Sequence, residues 1–158
     1  MALGLALLAG CGTTSGAANA FSGFFMPKGN RLDWDRVTLA AAEGANLNTA
    51  LAVDLVWVQD DAVLNTLLAM PASKWFASRV DMANTFPEVL HYLSVELVPG
   101  QTIAMPREKM GYERVVGALV FADYLTPGEH RLRVEQLHGD IQIQLGVRSL
   151  AVTSLQPH

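Results

Sequence analysis

The residues of this chain that could do chemistry are four histidines, one cysteine and two close pairs of aspartates. A zinc site needs ligands brought together by short spacing, and His91, His130, His138 and His158 offer no His-x-x-x-His or comparable pair. His130 and His138 stand beside turn signals and read as solvated strand ends. His91 opens a strand and is expected to be half buried, and His158 ends the sequence. Asp33 and Asp35 flank Trp34, but a calcium loop needs further oxygen ligands at alternating positions, a glycine and a glutamate, and these do not follow. Asp60-Asp61 immediately precedes an apolar helical pattern and reads as a helix cap. The sequence has no glycine-rich phosphate loop after a strand and no Gly-x-Ser-x-Gly elbow. These absences favour a protein that is not an enzyme, with no catalytic residue, no metal and no cofactor.

Composition narrows the classes further. Of 158 residues, 51% are hydrophobic and 16% charged, enough to bury one core of about 130 residues. The net charge is -4, and the eleven Lys and Arg are scattered, so no nucleic-acid partner is expected. A single cysteine excludes an intramolecular disulfide and a Cys-based zinc site. Its position is informative. Ala2 to Ala9 is small and apolar, Gly12 to Gly16 is flexible and polar, and Leu8-Ala9-Gly10-Cys11 between them resembles a bacterial lipobox. Small residues at Ala9 and Gly10 suit a protease that draws an extended strand into a narrow cleft, and the thiol of Cys11 is the nucleophile that accepts a diacylglyceryl group. The expectation is a signal peptide over residues 1–10, shortened at its start because no Lys or Arg precedes Cys11, and a lipidated Cys11. The competing reading is a buried cysteine in an N-terminal helix. Each buried acyl methylene contributes about 0.8 kcal/mol, so several chains on one cysteine hold a domain at a membrane. Gly12, where an aspartate would retain a lipoprotein at the inner membrane in many Gram-negative bacteria, implies onward transfer to the outer membrane.

Residues 11–30 then form a flexible tether, in which Phe21, Phe24 and Phe25 are expected to pack on the domain edge. From residue 31 onward the periodicity is that of strands. Arg36 to Ala40 alternates, and EGANLNT (Glu43–Thr49) is turn chemistry. In ALAVDLVWVQ (Ala50–Gln59), Val53, Leu55 and Trp57 share one face and Asp54, Val56 and Val58 the other, which predicts a strand covered on both sides. A helical insertion over about residues 61–86 follows. Its first helix runs to Met70 before Pro71, and its second is capped by Ser73 and ends at Phe86-Pro87. Strands are expected again at Leu90–Val98, Thr102–Met105, Val115–Tyr124, His130–Gln136, Asp140–Val147 and Ser149–Ser154. Pro99-Gly100, Gly111, Pro127-Gly128 and His138-Gly139-Asp140 serve as turns. Ile141, Ile143 and Leu145 point inward, and Gly117 permits close approach to a central strand. This spacing predicts a mainly β protein, an antiparallel β-sandwich with a helical insertion.

The order of ELVPGQTIAMPRE, RVVGALVFADYL, HRLRVEQL and DIQIQLGVRSLAVTS behind a lipobox, tether and helical insertion resembles the outer-membrane lipoprotein of the type VI secretion system, the TssJ family. Val58-Gln59-Asp60 replaces an aromatic-Gln-Leu sequence common in that family, and the insertion around Lys74-Trp75-Phe76 is large, which marks a divergent or accessory member. The resemblance implies a transthyretin-like sandwich lipid-anchored in the outer membrane and facing the periplasm. It implies as partner the periplasmic C-terminal domain of the large inner-membrane protein of the secretion complex. It also implies that the chief contact is the loop between the first two strands, here Gly44, Ala45, Asn46, Leu47, Asn48 and Thr49. From the residues alone that loop reads as a solvated turn. Two further readings stand beside this one: a periplasmic module binding a small ligand or glycan, with Trp34, Trp57 and Trp75 as stacking platforms, and, least supported for want of a triad, a lipid-anchored hydrolase.

Overall fold

The computed structural model describes residues 29–111 and 113–155. The expected signal peptide, Cys11, the tether as far as residue 28 with its three phenylalanines, and residues 156–158 lie outside them. Ten strands and two regular helices follow one another along the described chain, with a four-residue helical turn at Ala45–Asn48, irregular at Asn46 and Leu47, between the second and third strands. The first strands are β1 (Asn30–Arg31), β2 (Asp33–Ala41) and β3 (Leu51–Val58), and helices α1 (Asp61–Leu68) and α2 (Ala72–Thr85) come next. Then come β4 (Leu90–Leu97), β5 (Thr102–Pro106), a 3-10 turn at Arg107–Lys109, β6 (Arg114–Val115), β7 (Gly117–Ala122), β8 (Arg131–Val134), β9 (His138–Leu145) and β10 (Leu150–Leu155). One sheet has the order β10-β9-β2-β5 and the other β4-β3-β7-β8, with β1 and β6 pairing as a short ribbon. This is the expected β-sandwich with a helical insertion. Its described pairs are antiparallel except β2 with β9, which run parallel.

Strand β3 sets the layering. Its faces divide as the alternation predicts: Leu51, Val53, Leu55 and Trp57 enter the core between the sheets, while Val56 and Val58 enter a second core beneath the helices. Strand β7 does the same, sending Ala118, Val120 and Ala122 inward and Leu119 and Phe121 toward the helices. Ile141, Ile143 and Leu145 of β9 complete the inner core opposite. Burying aliphatic and aromatic side chains of this size stabilises the fold by about 1.5–3 kcal/mol each. A strand apolar on both faces is therefore stable only with a layer on each side, and the helical pair supplies the outer one.

Local signals explain the helices. The Asp60 carboxylate accepts from Ala62 N and Val63 N, at 2.9 and 3.0 Å, as the acidic pair predicts. Helix α1 lies over β7 so closely that a Cβ on Gly117 would stand 2.8 Å from both Leu64 methyls. Helix α2 differs from expectation at its start: Pro71, extended at φ -68°, occupies the N-cap, and Ser73 lies inside the helix without capping it. Proline suits that place because the preceding turn needs no N–H there. Two strands also differ. The expected strand Val115–Tyr124 divides, because β6 turns away to pair with β1 while Val116 N donates to Val58 O at 2.8 Å. His138-Gly139-Asp140, expected as a turn, is the start of β9. Gly139, at φ 73°, pairs beside a register shift between Trp34 and Arg36, so the glycine serves a bulge and not a reversal.

Candidate functional site

The segment Gly44–Thr49 joins the two sheets, leaving β2 at Ala41 and entering β3 at Leu51. Within it Asn46, Leu47 and Asn48 have φ of 49°, 55° and 65°, three consecutive non-glycine residues in the left-handed region. Each costs about 1 kcal/mol or more relative to a right-handed conformation, least for the asparagines. The surroundings hold the turn in place. Asn46 is 2% exposed; its Nδ2 donates to Ala50 O at 2.8 Å, and its Oδ1 accepts from Leu125 N at 2.8 Å. Its carbonyl accepts from the Thr49 hydroxyl at 2.7 Å. The loop between β9 and β10 is adjacent, since Asn46 N donates to Gly146 O at 3.4 Å.

The six residues singled out in the sequence therefore divide. Ala45 and Asn46 are buried and form the base of the turn, Gly44 is half buried, and Leu47, Asn48 and Thr49 are exposed. Leu47, 45% exposed, stands at the tip. Tyr124 fixes the neighbouring loop: its hydroxyl lies 2.7 Å from Ser149 O and 3.2 Å from Gly146 O, and it is 7% exposed. Burial pushes its pKa up to about 12, against the lowering effect of the bond to Gly146. Sequence reading missed Tyr124 as a support, because it fell at the end of an expected strand.

The other candidate groups lie elsewhere or serve the core. Trp34, Trp57 and Trp75 are 3%, 8% and 0% exposed, so none offers an open ring to a glycan, and the stacking-platform reading fails on burial. Trp75 Nε1 donates at 2.8 Å to Asp54, a carboxylate with no exposure on the helix-facing side of β3. Arg79 from α2 reaches the same carboxylate at 2.9 and 3.0 Å and lies 5.0 Å from the Phe76 ring centroid. This cluster ties the helices to the sheet; nothing in the sequence pairs Asp54 with a residue 25 positions on. His91 is half buried as expected, stacked near Trp57 with its Nε2 3.4 Å from Glu113, and His138 is an exposed strand end. His130 is not a solvated strand end. At φ 43°, it packs 4.7 Å from the Tyr124 ring, with Nε2 2.6 Å from Thr126 O, because the turn after Tyr124 folds its ring back onto the loop. Asp33 and Asp35 both pair with Arg107. Among the described residues no three His, Cys, Asp or Glu side chains gather where one metal ion would fit, and no helix is long and apolar enough to cross a membrane.

No family model matches the chain, and no curated protein matches it by sequence. Solved structures do match its fold, a β-sandwich with added helices. One is the type VI secretion lipoprotein TssJ1 of Pseudomonas aeruginosa, at 17% identity and TM-score 0.57, covering 83% of this chain and 100% of that one. Another is Serratia marcescens Lip, a membrane-bound component of the type VI secretion system, at 14% identity and TM-score 0.54, covering 78% and 97%. A chain of a type VI membrane complex matches at 16% identity and TM-score 0.57, covering 80% and 100%. The protein thus has the TssJ lipoprotein fold over nearly the full length of those chains.

Proposed function

We propose that this protein is an outer-membrane lipoprotein of a type VI secretion membrane complex, facing the periplasm and carrying out no reaction. Acyl chains on Cys11 hold it at the membrane, the residues between Cys11 and β1 act as the tether, and the sandwich binds the periplasmic C-terminal domain of the large inner-membrane component. The fold also matches a chain from the structure of the type VI secretion protein TssM C-terminal domain from EAEC, at 13% identity and TM-score 0.53, covering 79% of this chain and 98% of that one.

The observation that carries the reading is the left-handed turn. Strain of several kcal/mol persists only where the surroundings over-determine it, and here it lifts Leu47 clear of a rigid base. Position supports it too. The chain enters the sandwich at Asn30, paired with Val115 beside the Val58 end of β3, whereas the turn adjoins Leu51 at the other end. Eight residues of strand separate the two by about 25 Å. Attachment and docking therefore occupy opposite poles, as a tether requires.

Two measurements test it. Cys11→Ser should move the protein from the membrane to the soluble periplasmic fraction, and retention at the membrane would defeat the anchor. Leu47→Ser should abolish capture of the inner-membrane component's periplasmic domain while thermal unfolding stays unchanged. Undiminished capture would place the interface elsewhere.

A further inference from the structure

The pole that carries the Leu47 turn holds more apolar surface than that turn alone. Among the described residues, five large apolar side chains are 45% or more exposed: Leu47 (45%), Val80 (58%), Val98 (55%), Leu125 (65%) and Val147 (48%). Four of them converge on this end of the sandwich from four separate loops, and Val80 alone lies elsewhere, on α2. Leu125 is held there by the bond from its N–H to Asn46 Oδ1. Val147 reaches the turn from the other side, its Cγ2 3.4 Å from where a Cβ on Gly44 would lie. Val98 is brought in by the β4–β5 turn, where Gly100 N donates to Ala42 O at 3.1 Å. Singly scattered apolar side chains on a surface are ordinary; their gathering at one pole is not.

The border of this surface has a definite charge. Glu43, Glu96 and Asp123 are exposed around it, with Arg148 as the cation among them, and none of the four is in an ion pair among the described residues. Three carboxylates against one guanidinium leave the pole acidic. Beside Leu125 opens a cleft of about 350 Å³ lined by Ala72, Ser73, Tyr124, Thr126 and His130. The Thr126 hydroxyl oxygen is buried without a hydrogen-bond partner.

We propose that Leu47, Val98, Leu125 and Val147 form one docking face, and that its occupant is a folded protein surface with an apolar centre rimmed by lysine or arginine, one side chain of which enters the cleft beside Leu125. This rests on the tether reading and names the chemistry of the partner surface. A lipid surface is the wrong occupant, because membrane-inserting patches carry basic rims that meet anionic headgroups, and this rim is acidic. Unpaired carboxylates around an apolar centre instead steer a basic-rimmed protein and penalise an acidic one. The unpartnered Thr126 hydroxyl gives an incoming polar group a partner that the free protein leaves unused.

The test titrates the periplasmic domain of the inner-membrane component, from the same secretion system, into the full chain carrying Cys11→Ser. Leu125→Ser and Val147→Ser should each weaken binding about tenfold, as loss of an interface anchor does. Glu96→Lys combined with Asp123→Lys should weaken it several-fold and flatten its salt dependence. Thermal melting should stay unchanged, since all four side chains are exposed. If Leu47→Ser abolishes binding while these variants leave it unaltered, the composite face is refuted and the tether reading survives. If the chain with only Cys11→Ser does not bind that domain, the tether reading falls and the face with it. Binding to phosphatidylglycerol vesicles that depends on Leu47 and Leu125 would make the occupant lipid and overturn the proposal.

Discussion

Asn46 is the residue on which the left-handed turn depends, and its substitution by alanine has a cost that can be assembled from the structure. The change removes two side-chain hydrogen bonds, to Ala50 O and from Leu125 N, both at 2.8 Å. It leaves a partly buried carbonyl and a partly buried N–H without those partners, at about 1 to 1.5 kcal/mol each. Alanine also tolerates φ 49° less well than asparagine, by about 1 kcal/mol. The sum is about 3 to 4 kcal/mol. With a denaturant slope near 1.5 kcal/mol per molar, that moves the urea midpoint down by about 2 M. Asn46→Gly separates the two contributions: it loses the same hydrogen bonds but not the backbone preference, and should be about 1 kcal/mol more stable than Asn46→Ala. Asn48→Ala, at φ 65° on an exposed side chain, should cost only about the backbone term. Equilibrium urea unfolding followed by tryptophan fluorescence measures all three, because every indole lies in a core. A loss below about 1 kcal/mol for Asn46→Ala, or a glycine variant no more stable than the alanine one, would refute this account of the turn.

Other consequences concern the scaffold. Gly117→Ala places a methyl group 2.8 Å from both Leu64 methyls and should destabilise by about 1 to 3 kcal/mol in urea melts; adding Leu64→Ala should recover part of the loss, and fully additive effects would contradict the contact. Arg79→Met leaves the fully buried Asp54 carboxylate with Trp75 Nε1 as its remaining side-chain donor, so unfolding should become easier by about 3 kcal/mol; an unchanged midpoint would show that the guanidinium is dispensable. Tyr124 has its folded pKa raised from 10.0 to about 12, so the unfolded chain loses that proton first as pH rises. Its stabilising contribution is complete below pH 10 and is lost between about pH 10 and 12, by about 3 kcal/mol. Tyr124→Phe should flatten the decline in that window, and an equally steep curve would assign it to other groups.

What could be read in advance was whatever alternation encodes. The two-faced run of β3 and the in-out pattern Ile141, Ile143, Leu145 report burial directly, because successive side chains on a strand point to opposite faces. Alternation does not encode direction. The parallel pairing of β2 with β9 joins Asp33 to His138, over a hundred residues apart, and no local signal distinguishes it from an antiparallel neighbour. Gly139 was misread for a related reason: a positive φ serves a turn and a bulge equally well, and only the partner strand decides. The capping role of Asp60 was legible because it is satisfied two and three residues away, whereas Asp54 is satisfied from another element.

The left-handed turn lies between these cases. Asn46 and Asn48 carry a visible signal, since asparagine enters the left-handed region more readily than other residues with a side chain. Leu47 carries none, and a β-sandwich has no need of an apolar residue at φ 55° on its surface. Three supports meet beneath it, Ala50 from four residues along the chain and Leu125 and the Gly146 carbonyl from distant loops. Each belongs to a loop or strand end at the same pole. A loop held from three directions keeps its shape when a partner leaves, so little ordering entropy is lost when one arrives. That rigidity separates the two ends of the molecule in kind as well as in position. On the function proposed above, a tether rich in glycine, alanine, serine and threonine would let the sandwich reorient relative to a membrane, while the opposite pole presents one fixed shape to its partner. In that proposed role, following an envelope complex without releasing it calls for compliance on the lipid side and stiffness on the protein side. The cost of holding Leu47 in a left-handed turn is accounted for if that stiffness is what the turn is for.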